Sequence, residues 1–275
     1  MSEEIFIQQL KQEYNQSSQK VPQPQTYPAE SVFLPSKGFF YPEKSPLSKG
    51  TIDVKMMTAK EEDILTNENF IKSGTVLDRL LESLIVTPNV KVSDLLMVDK
   101  NALFIAARRL AYGDSYGPLK INCRKCGEEN NTVVNLGEMN EKPVDFGNFE
   151  KGLNEFEFTF PYSKRKIIFK LLSSGDEDAI DKDSKALSKI KKNASAEVTT
   201  RLKRLIVELD GKRDQVLINN FVENELLSKD SMALRAYIRT ISPEIDMGFN
   251  FTCEHCSNSE RMDVPMTVQF FWPES

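Results

Sequence analysis

Two short stretches of the sequence have the same form, INCRKCG at residues 121–127 and FTCEHCS at residues 251–257. They hold all four cysteines of the chain as two Cys-x-x-Cys pairs, and 126 residues lie between the pairs. Two intervening residues allow both sulfurs of one turn to reach the same metal ion, each about 2.3 Å from it. One pair supplies only half of a tetrahedron, so we expect both pairs to form a single Cys₄ zinc site of the ribbon kind. The expected ligands are Cys123, Cys126, Cys253 and Cys256.

The long separation between the pairs has an energetic cost. Zinc ribbons usually hold their pairs about 15–20 residues apart, so here a whole subdomain would lie between the two halves. Closing a loop of about 100 residues costs roughly 4–5 kcal/mol, whereas the apparent free energy of zinc binding in such sites is about 10–16 kcal/mol. Zinc binding therefore outweighs the cost of bringing the halves together.

Other uses of the four thiols remain open from the sequence. They are a redox-active pair, two separate disulfides, four metal-free thiols, or iron in place of zinc. A redox Cys-x-x-Cys usually opens a helix, and neither pair is followed by a helical pattern. Gly127, directly after the first pair, suits the positive φ of a tight turn. Ser257 occupies the matching position after the second pair, so we expect that turn to be less typical.

Composition and charge argue against several classes of protein. The chain has 275 residues, 40% hydrophobic and 28% charged, as in globular proteins. No apolar run approaches the roughly 20 residues that span a bilayer, and the first residues are acidic where a secretory signal is basic. We therefore expect no membrane insertion and a location in the cytoplasm, where paired thiols more often hold metal than form disulfides. The net charge of −5 argues against general nucleic-acid binding.

The sequence also lacks the patterns of an active site. His255 is the only histidine, which excludes Ser-His-Asp and Cys-His arrangements. It lies inside the second cysteine pair and is expected to point away from the ion. The sequence contains no Gly-rich phosphate loop and no His-Glu-x-x-His motif. Four sulfurs around one ion leave no open coordination position, which is typical of a structural site. We therefore expect that the protein is not an enzyme and has no small-molecule substrate.

The apolar patterns predict an α+β fold, in which a helical body with short strands carries a split zinc ribbon formed by the two distant cysteine pairs. The expected parts are a flexible N-terminal arm (1–31), a mostly helical body (32–122), the split zinc ribbon (123–136 plus 245–273) and an inserted hairpin and helical subdomain (153–243).

Local signals predict where individual elements begin and end. Thr58 and Glu61 form a capping box that starts a helix, and the apolar residues of 75–86 make one continuous helical stripe. Asp99 is expected to cap a helix that stops at Gly113. The other expected elements are a charged helical stretch over 176–209, two helices between 215 and 241 of which the second is capped by Ser228 or Asp230, a hairpin begun by Phe156, Phe158 and Phe160, and strands flanking each cysteine pair.

Three segments of the chain are candidates for contact with partners. Basic residues within 189–204 support the alternative of a zinc-ribbon regulatory protein that binds nucleic acid, although a solvated helix face is the simpler interpretation. The terminal aromatic residues are expected to form a last strand in the protein's own core, and the alternative is that they contact a partner. The N-terminal arm is expected to lie on a partner or to remain a disordered tail. The basic residues are Lys189, Lys191, Lys192, Arg201, Lys203 and Arg204, and the aromatic ones are Phe270, Phe271 and Trp272.

Several stretches are specific in both content and order. They are FLPSKGFFYP at 33–42, IDVKMMTAKEEDIL at 52–65, AARRLAYGDSYG at 106–117 followed by CRKCG at 123–127, and FTCEHC at 251–256 with VPMTVQFFWP at 264–273. Together they resemble the T4-type bacteriophage baseplate hub protein family, over roughly residues 27–273.

The resemblance implies a role in the hub at the centre of a contractile-tail baseplate, either as a part of the virion or as a factor that assists hub assembly. It implies partners among other baseplate hub and tail proteins, a location in the host cytoplasm during assembly and in the tail baseplate of the virion, and no catalytic residues. The family's two cysteine pairs fall on Cys123, Cys126, Cys253 and Cys256. An assembly subunit needs a rigid shape, which a zinc cross-link between distant parts of the chain would provide.

Overall fold

The computed structural model describes residues 29–190 and 197–271 of the chain. Within these residues the fold is α+β, as predicted, with eight α-helices and four small antiparallel sheets. Nearly all of the predicted N-terminal arm lies outside the described residues, and so does Trp272. None of the helices in the two described ranges combines the length and apolar character that crossing a bilayer requires.

The strands form three two-stranded sheets and one three-stranded sheet within the described residues. In each of the two-stranded sheets, the two strands are consecutive along the chain. The pairs are β1 (Glu30–Phe33) with β2 (Thr51–Val54), β3 (Ser115–Asn122) with β4 (Glu129–Asn135), and β8 (Gly248–Thr252) with β9 (Ser259–Asp263), while β5 (Phe156–Thr159), β6 (Lys166–Phe169) and β7 (Ile206–Leu209) lie side by side in that order.

The helices fill the intervals between these sheets. They are α1 (Ala59–Thr66), α2 (Glu68–Ser73), α3 (Val76–Leu84), α4 (Met97–Tyr112), α5 (Ser174–Ile190), α6 (Glu197–Leu205), α7 (Gln215–Asn220), which continues as a π-helical turn over Phe221–Glu225, and α8 (Ser228–Ile241).

Helices α1 and α3 confirm the predictions made for them. Glu61 Oε2 accepts the backbone N–H of Thr58 at 2.9 Å, as a capping box requires. The Glu61 side chain is fully buried, and its other oxygen accepts hydrogen bonds from Lys55 at 2.8 Å and Ser83 at 2.6 Å. Burial raises the pKa of Glu61, but these hydrogen bonds outweigh it and lower the pKa to about 2. The apolar stripe of α3 lies in the core.

The prediction that Asp99 caps α4 is wrong, because the helix already begins at Met97 and Asp99 lies in its first turn. The Asp99 carboxylate is fully buried and binds a distant loop instead. It accepts hydrogen bonds from Ser36 Oγ at 2.7 Å, from the Ser36 amide at 3.0 Å and from the Tyr41 hydroxyl at 2.6 Å. The Tyr41 hydroxyl in turn accepts the amide of Leu96 at 2.8 Å. This network joins the 33–42 loop to the start of α4.

Where the structure describes it, the predicted helical stretch 176–209 is correct except at its end. Helices α5 and α6 occupy its described part up to Leu205, but Ile206–Leu209 form the strand β7. Ile206 and Leu209 are buried, and β7 pairs antiparallel with β6. The pairing with β6 and the burial of Ile206 and Leu209 therefore override the helical continuation that the local sequence favours. The predicted β5–β6 hairpin is confirmed.

The predicted cap of α8 at Ser228 or Asp230 is also wrong, since the residue before the helix is Leu227. Asp230 is buried, and its carboxylate accepts the backbone amides of Tyr162 and Ser163, each at 2.9 Å. Burial raises the pKa of Asp230, but these two amides outweigh it and lower the pKa. Asp230 therefore fixes the β5–β6 turn against α8.

Phe270 and Phe271, the terminal aromatic residues that the structure describes, lie in the protein's own core as predicted, although in a 3-10 turn over Val268–Phe271 and not in a strand. Phe270 and Phe271 are buried and belong to the main core cluster, which extends from Leu34 to Phe271. The Phe270 carbonyl accepts a hydrogen bond from Arg108 Nε at 2.9 Å. The division of the chain into four parts stays a prediction.

Candidate metal centre

The first cysteine pair lies in the turn that joins β3 to β4, and strands flank it as predicted. Two backbone hydrogen bonds close the turn. The amide of Cys123 donates to the carbonyl of Glu128 at 2.9 Å, and the amide of Gly127 donates to the carbonyl of Cys123 at 2.8 Å. A further amide, that of Lys125, donates to Cys123 Sγ at 3.4 Å.

The second pair lies in the turn between β8 and β9 and repeats this backbone arrangement. The amide of Cys253 donates to the carbonyl of Asn258 at 2.9 Å, and the amide of Ser257 donates to the carbonyl of Cys253 at 2.9 Å. Ser257 adopts a φ of 56°, close to the 79° of Gly127. The expectation of a less typical second turn is therefore wrong, because the turn imposes its left-handed conformation on serine at a cost of about 1–2 kcal/mol.

The two turns bring all four sulfurs together. The four ligand atoms lie within 4.8 Å of one another. Cys123 Sγ is 3.7 Å from Cys256 Sγ, and Cys126 Sγ is 3.6 Å from Cys253 Sγ. A tetrahedron with metal–sulfur distances of about 2.3 Å has sulfur–sulfur edges of about 3.8 Å. The donor type and the spacing therefore fit one tetrahedrally coordinated ion, and sulfur tetrahedra of this kind suit zinc or iron.

Two of the alternatives for the thiols disagree with this geometry. The four cysteines are free, and the closest of the sulfur distances given above is far longer than the roughly 2.05 Å of a disulfide. Each pair is followed by a strand, not by the helix that a redox Cys-x-x-Cys usually opens. His255 is exposed and does not belong to the sulfur cluster, in agreement with its expected orientation.

The cluster is buried on one side and open on the other. Cys123 and Cys253, the first cysteine of each pair, are buried and form a small core of their own with Ile121 and Phe251. Cys126 is exposed and Cys256 is half-buried. The hairpins thus contribute equally, each giving one inner and one outer sulfur.

The thiols of Cys253 and Cys126 differ in how easily they ionise. Burial raises the pKa of Cys253, but amide hydrogen bonds from Cys256 and His255 and side-chain hydrogen bonds from Cys126 and Asn130 lower it to about 6. The amide of Glu128 lowers the pKa of Cys126, but burial and hydrogen bonds with the other three thiols raise it to about 12. Metal ligation requires the thiolate, so binding at this cluster releases protons.

Two residues that the sequence analysis did not single out contact the cysteine turns. Asn130 is buried and contacts Cys253 Sγ, and Glu260 pairs with Arg124 next to Cys123. Both lie four residues after the second cysteine of their pair, in strands β4 and β9. That repeated spacing is the one sequence signal by which they could have been found.

The basic residues considered for nucleic-acid binding form ion pairs where the structure describes them. Arg201 makes a bidentate pair with Glu177, at 2.5 and 2.8 Å. Lys203 pairs with Glu223, and Arg204 lies 3.9 Å from Asp183. The side chains of Lys189, Lys191 and Lys192 lie outside the described part of the chain. The basic side chains that the structure describes are thus paired with acidic ones on the protein's own surface, as expected of a solvated helix face.

Together these features define an α+β protein in which a four-cysteine cluster joins two hairpins far apart in sequence. The model of a family described as T4 bacteriophage base plate protein matches residues 39–272, and the chain belongs to that family. No curated protein and no solved structure matches the chain. Membership suggests a structural protein of the phage baseplate, located in the virion tail, that interacts with other baseplate proteins. The cysteine cluster is one that could bind a metal ion.

Proposed function

We propose that this chain is a non-enzymatic structural or assembly component of the baseplate hub of a contractile-tail phage, made rigid by one structural zinc ion. The proposal depends on one observation above all. In a chain of the base plate family, four sulfurs from two distant hairpins lie at the spacing of a metal tetrahedron. The ligands are Cys123, Cys126, Cys253 and Cys256.

The zinc ion would act as a cross-link between two hairpins whose own contacts are small. The core that the hairpins share around the cysteines consists of only four buried residues. In a reducing cytoplasm disulfides do not persist reliably, whereas a closed site of four thiolates does not need an oxidant. Because binding requires both hairpins, the free energy of zinc binding becomes free energy of folding. A subunit that transmits load in a tail assembly benefits from such a cross-link.

The metal is tested by elemental analysis of protein purified from a reducing cytoplasm. We expect one zinc per chain, and we expect addition of a strong chelator to lower the midpoint of thermal unfolding. Cys126→Ser should lose the metal, while Lys125→Ser, a change in the same turn that leaves every sulfur in place, should keep it. Four titratable thiols, no metal and unchanged stability in the presence of chelator would refute the metal site and leave the baseplate role supported by the family alone.

The baseplate role is tested by interrupting the gene in the phage that encodes this chain. Electron microscopy of infected cells should then show heads without complete contractile tails, and supplying the protein in trans should restore tails. Normal tails and normal phage yield without the protein would contradict the proposal. Detection of the chain in purified virions identifies a built-in hub subunit, and its absence from them identifies an assembly factor. Salt-sensitive retention of the protein on DNA or RNA would favour the nucleic-acid alternative.

A further inference from the structure

The two cysteine hairpins are equivalent halves, and each places one polar residue at the same point. Asn130 is the strand partner of Ile121 in the first hairpin, and Glu260 is the strand partner of Phe251 in the second. Ile121 and Phe251 each lie two residues before the first cysteine of their pair. Asn130 and Glu260 therefore occupy matching positions beside the sulfur cluster.

The side chain of Asn130 forms three hydrogen bonds, two of which reach the opposite half. Its Oδ1 accepts the backbone amide of Glu254, in the opposite turn, at 2.8 Å. Its Nδ2 donates to the carbonyl of Glu128 at 2.9 Å and lies 3.5 Å from Cys253 Sγ, within hydrogen-bonding range of sulfur. The residue is only 4% exposed. One buried amide thus holds its own turn, the opposite turn and one sulfur.

Glu260 does not reproduce this arrangement. Its Oε2 lies 3.5 Å from Arg124 Nε in the opposite turn, which is a contact on a largely exposed arginine. Its Oε1 is buried without a hydrogen-bond partner among the described residues. A carboxylate has no N–H to offer a sulfur, so of these two matching residues Asn130 alone can donate a side-chain hydrogen bond to the cluster.

We propose that Asn130 is a positioning residue of the metal site, which holds the second turn in register with the first and donates an N–H to the Cys253 thiolate. The inference rests on the proposed metal site. Four thiolates around a divalent ion carry excess negative charge, and hydrogen bonds to ligand atoms stabilise that charge and fix the ligand orientation. The bond to Glu254 matters equally, because the two halves are distant in sequence and have few other buried contacts near the ion.

The test measures zinc affinity of the full chain by competition with a chromophoric chelator. Asn130→Ala removes all three hydrogen bonds, and Asn130→Asp keeps an acceptor for Glu254 but removes the donor to sulfur and to the Glu128 carbonyl. Loss of a residue that hydrogen-bonds to a metal ligand typically lowers metal affinity about 10- to 100-fold. We expect a loss of that size in both variants. Asn131→Ala is the matched control, since Asn131 is the exposed neighbour on the same strand. It should bind zinc within about twofold of the unchanged protein.

The absorption spectrum of bound cobalt(II) is a second measurement, and a general loss of protein stability would not change the positions of its bands. Its visible and charge-transfer absorption reports on the thiolates directly, so Asn130→Asp should shift these bands while Asn131→Ala leaves them unchanged. If Asn130→Ala does not fold by circular dichroism, Asn130→Asp decides the question. Binding and spectra equal to those of Asn131→Ala would overturn the role of Asn130 alone. A parent protein that binds neither zinc nor cobalt would overturn both this inference and the metal site.

Discussion

Truncation of Phe270 to alanine tests how firmly the C-terminal turn is held in the core. The Phe270 side chain is fully buried, and its ring centroid lies 5.0 Å from that of Tyr116 and 5.3 Å from that of Phe271. An aromatic side chain buries about 150–250 Å². At about 25 cal/mol per Å², and after allowing for the methyl that alanine keeps, the lost burial amounts to about 3 to 4 kcal/mol. The ring contacts bring the expected loss to about 4 kcal/mol, within the measured range of about 3–5 for such changes.

The assay is urea unfolding followed by far-ultraviolet circular dichroism, with the free energy of unfolding extrapolated to water. Phe33→Ala is the matched control, because Phe33 is 73% exposed and its loss should change the free energy by no more than about 0.5 kcal/mol. Phe270→Leu, which removes less volume, should fall between the two. A loss below about 1 kcal/mol for Phe270→Ala, similar to that of Phe33→Ala, would show that the C-terminal turn does not belong to the cooperative core.

Three further changes have defined outcomes. The folded pKa of Glu61 is about 2, below its ordinary 4.5, so its stabilising contribution is complete above pH 4.5 and is lost as the pH falls through about 2. This difference in pKa corresponds to about 3 kcal/mol of stability, which screening around the partly exposed Lys55 reduces to about 2 kcal/mol. In Glu61→Gln, the free energy of unfolding should therefore fall by about 2 kcal/mol less between pH 4.5 and pH 2 than in the parent protein. Ser257→Gly should raise the free energy of unfolding by about 0.5–1 kcal/mol, because the relief of about 1–2 kcal/mol of strain is partly offset by the larger backbone entropy that glycine loses on folding, about 0.5–1 kcal/mol. An unchanged or lower value in urea unfolding would contradict this. Asp230→Asn should lower stability by about 2 kcal/mol, because the amides of Tyr162 and Ser163 lose a charged acceptor. A melting temperature equal to that of the parent would show that the β5–β6 turn does not need the charge.

The parts of the fold that could be predicted from the sequence are those set by local signals. A Cys-x-x-Cys pair that no helical pattern follows indicates a tight turn between strands, so both turns and their flanking strands were predictable. The capping box of Thr58 and Glu61 and the apolar stripe of 75–86 are likewise complete within one helix. The clustering of all four sulfurs was predicted from the coordination number of a tetrahedral metal ion, since one pair supplies only two of its four ligands.

The errors at the helix ends have a different cause, which is competition from residues distant in sequence. Asp99 and Asp230 are good helix caps by residue type, but buried backbone amides and hydroxyls of remote loops bind their carboxylates instead. The strand β7 depends on pairing with β6, about forty residues earlier, and nothing in 206–209 alone separates it from the end of α6. Asn130 was not singled out because its partners become neighbours only when the hairpins meet.

The distance between the cysteine pairs also sets an order of events during translation. At about 5–20 residues per second, the 126 residues between Cys126 and Cys253 take roughly 6 to 25 s to synthesise. Throughout that interval the ribosome has produced only half of the sulfurs, while strands β5 to β7 and helices α5 to α8 are being added. A closed four-sulfur cluster therefore exists only in chains whose intervening segment has been read to its end. The cluster thus distinguishes chains that extend through the second cysteine pair, because a polypeptide released before Cys253 cannot form it.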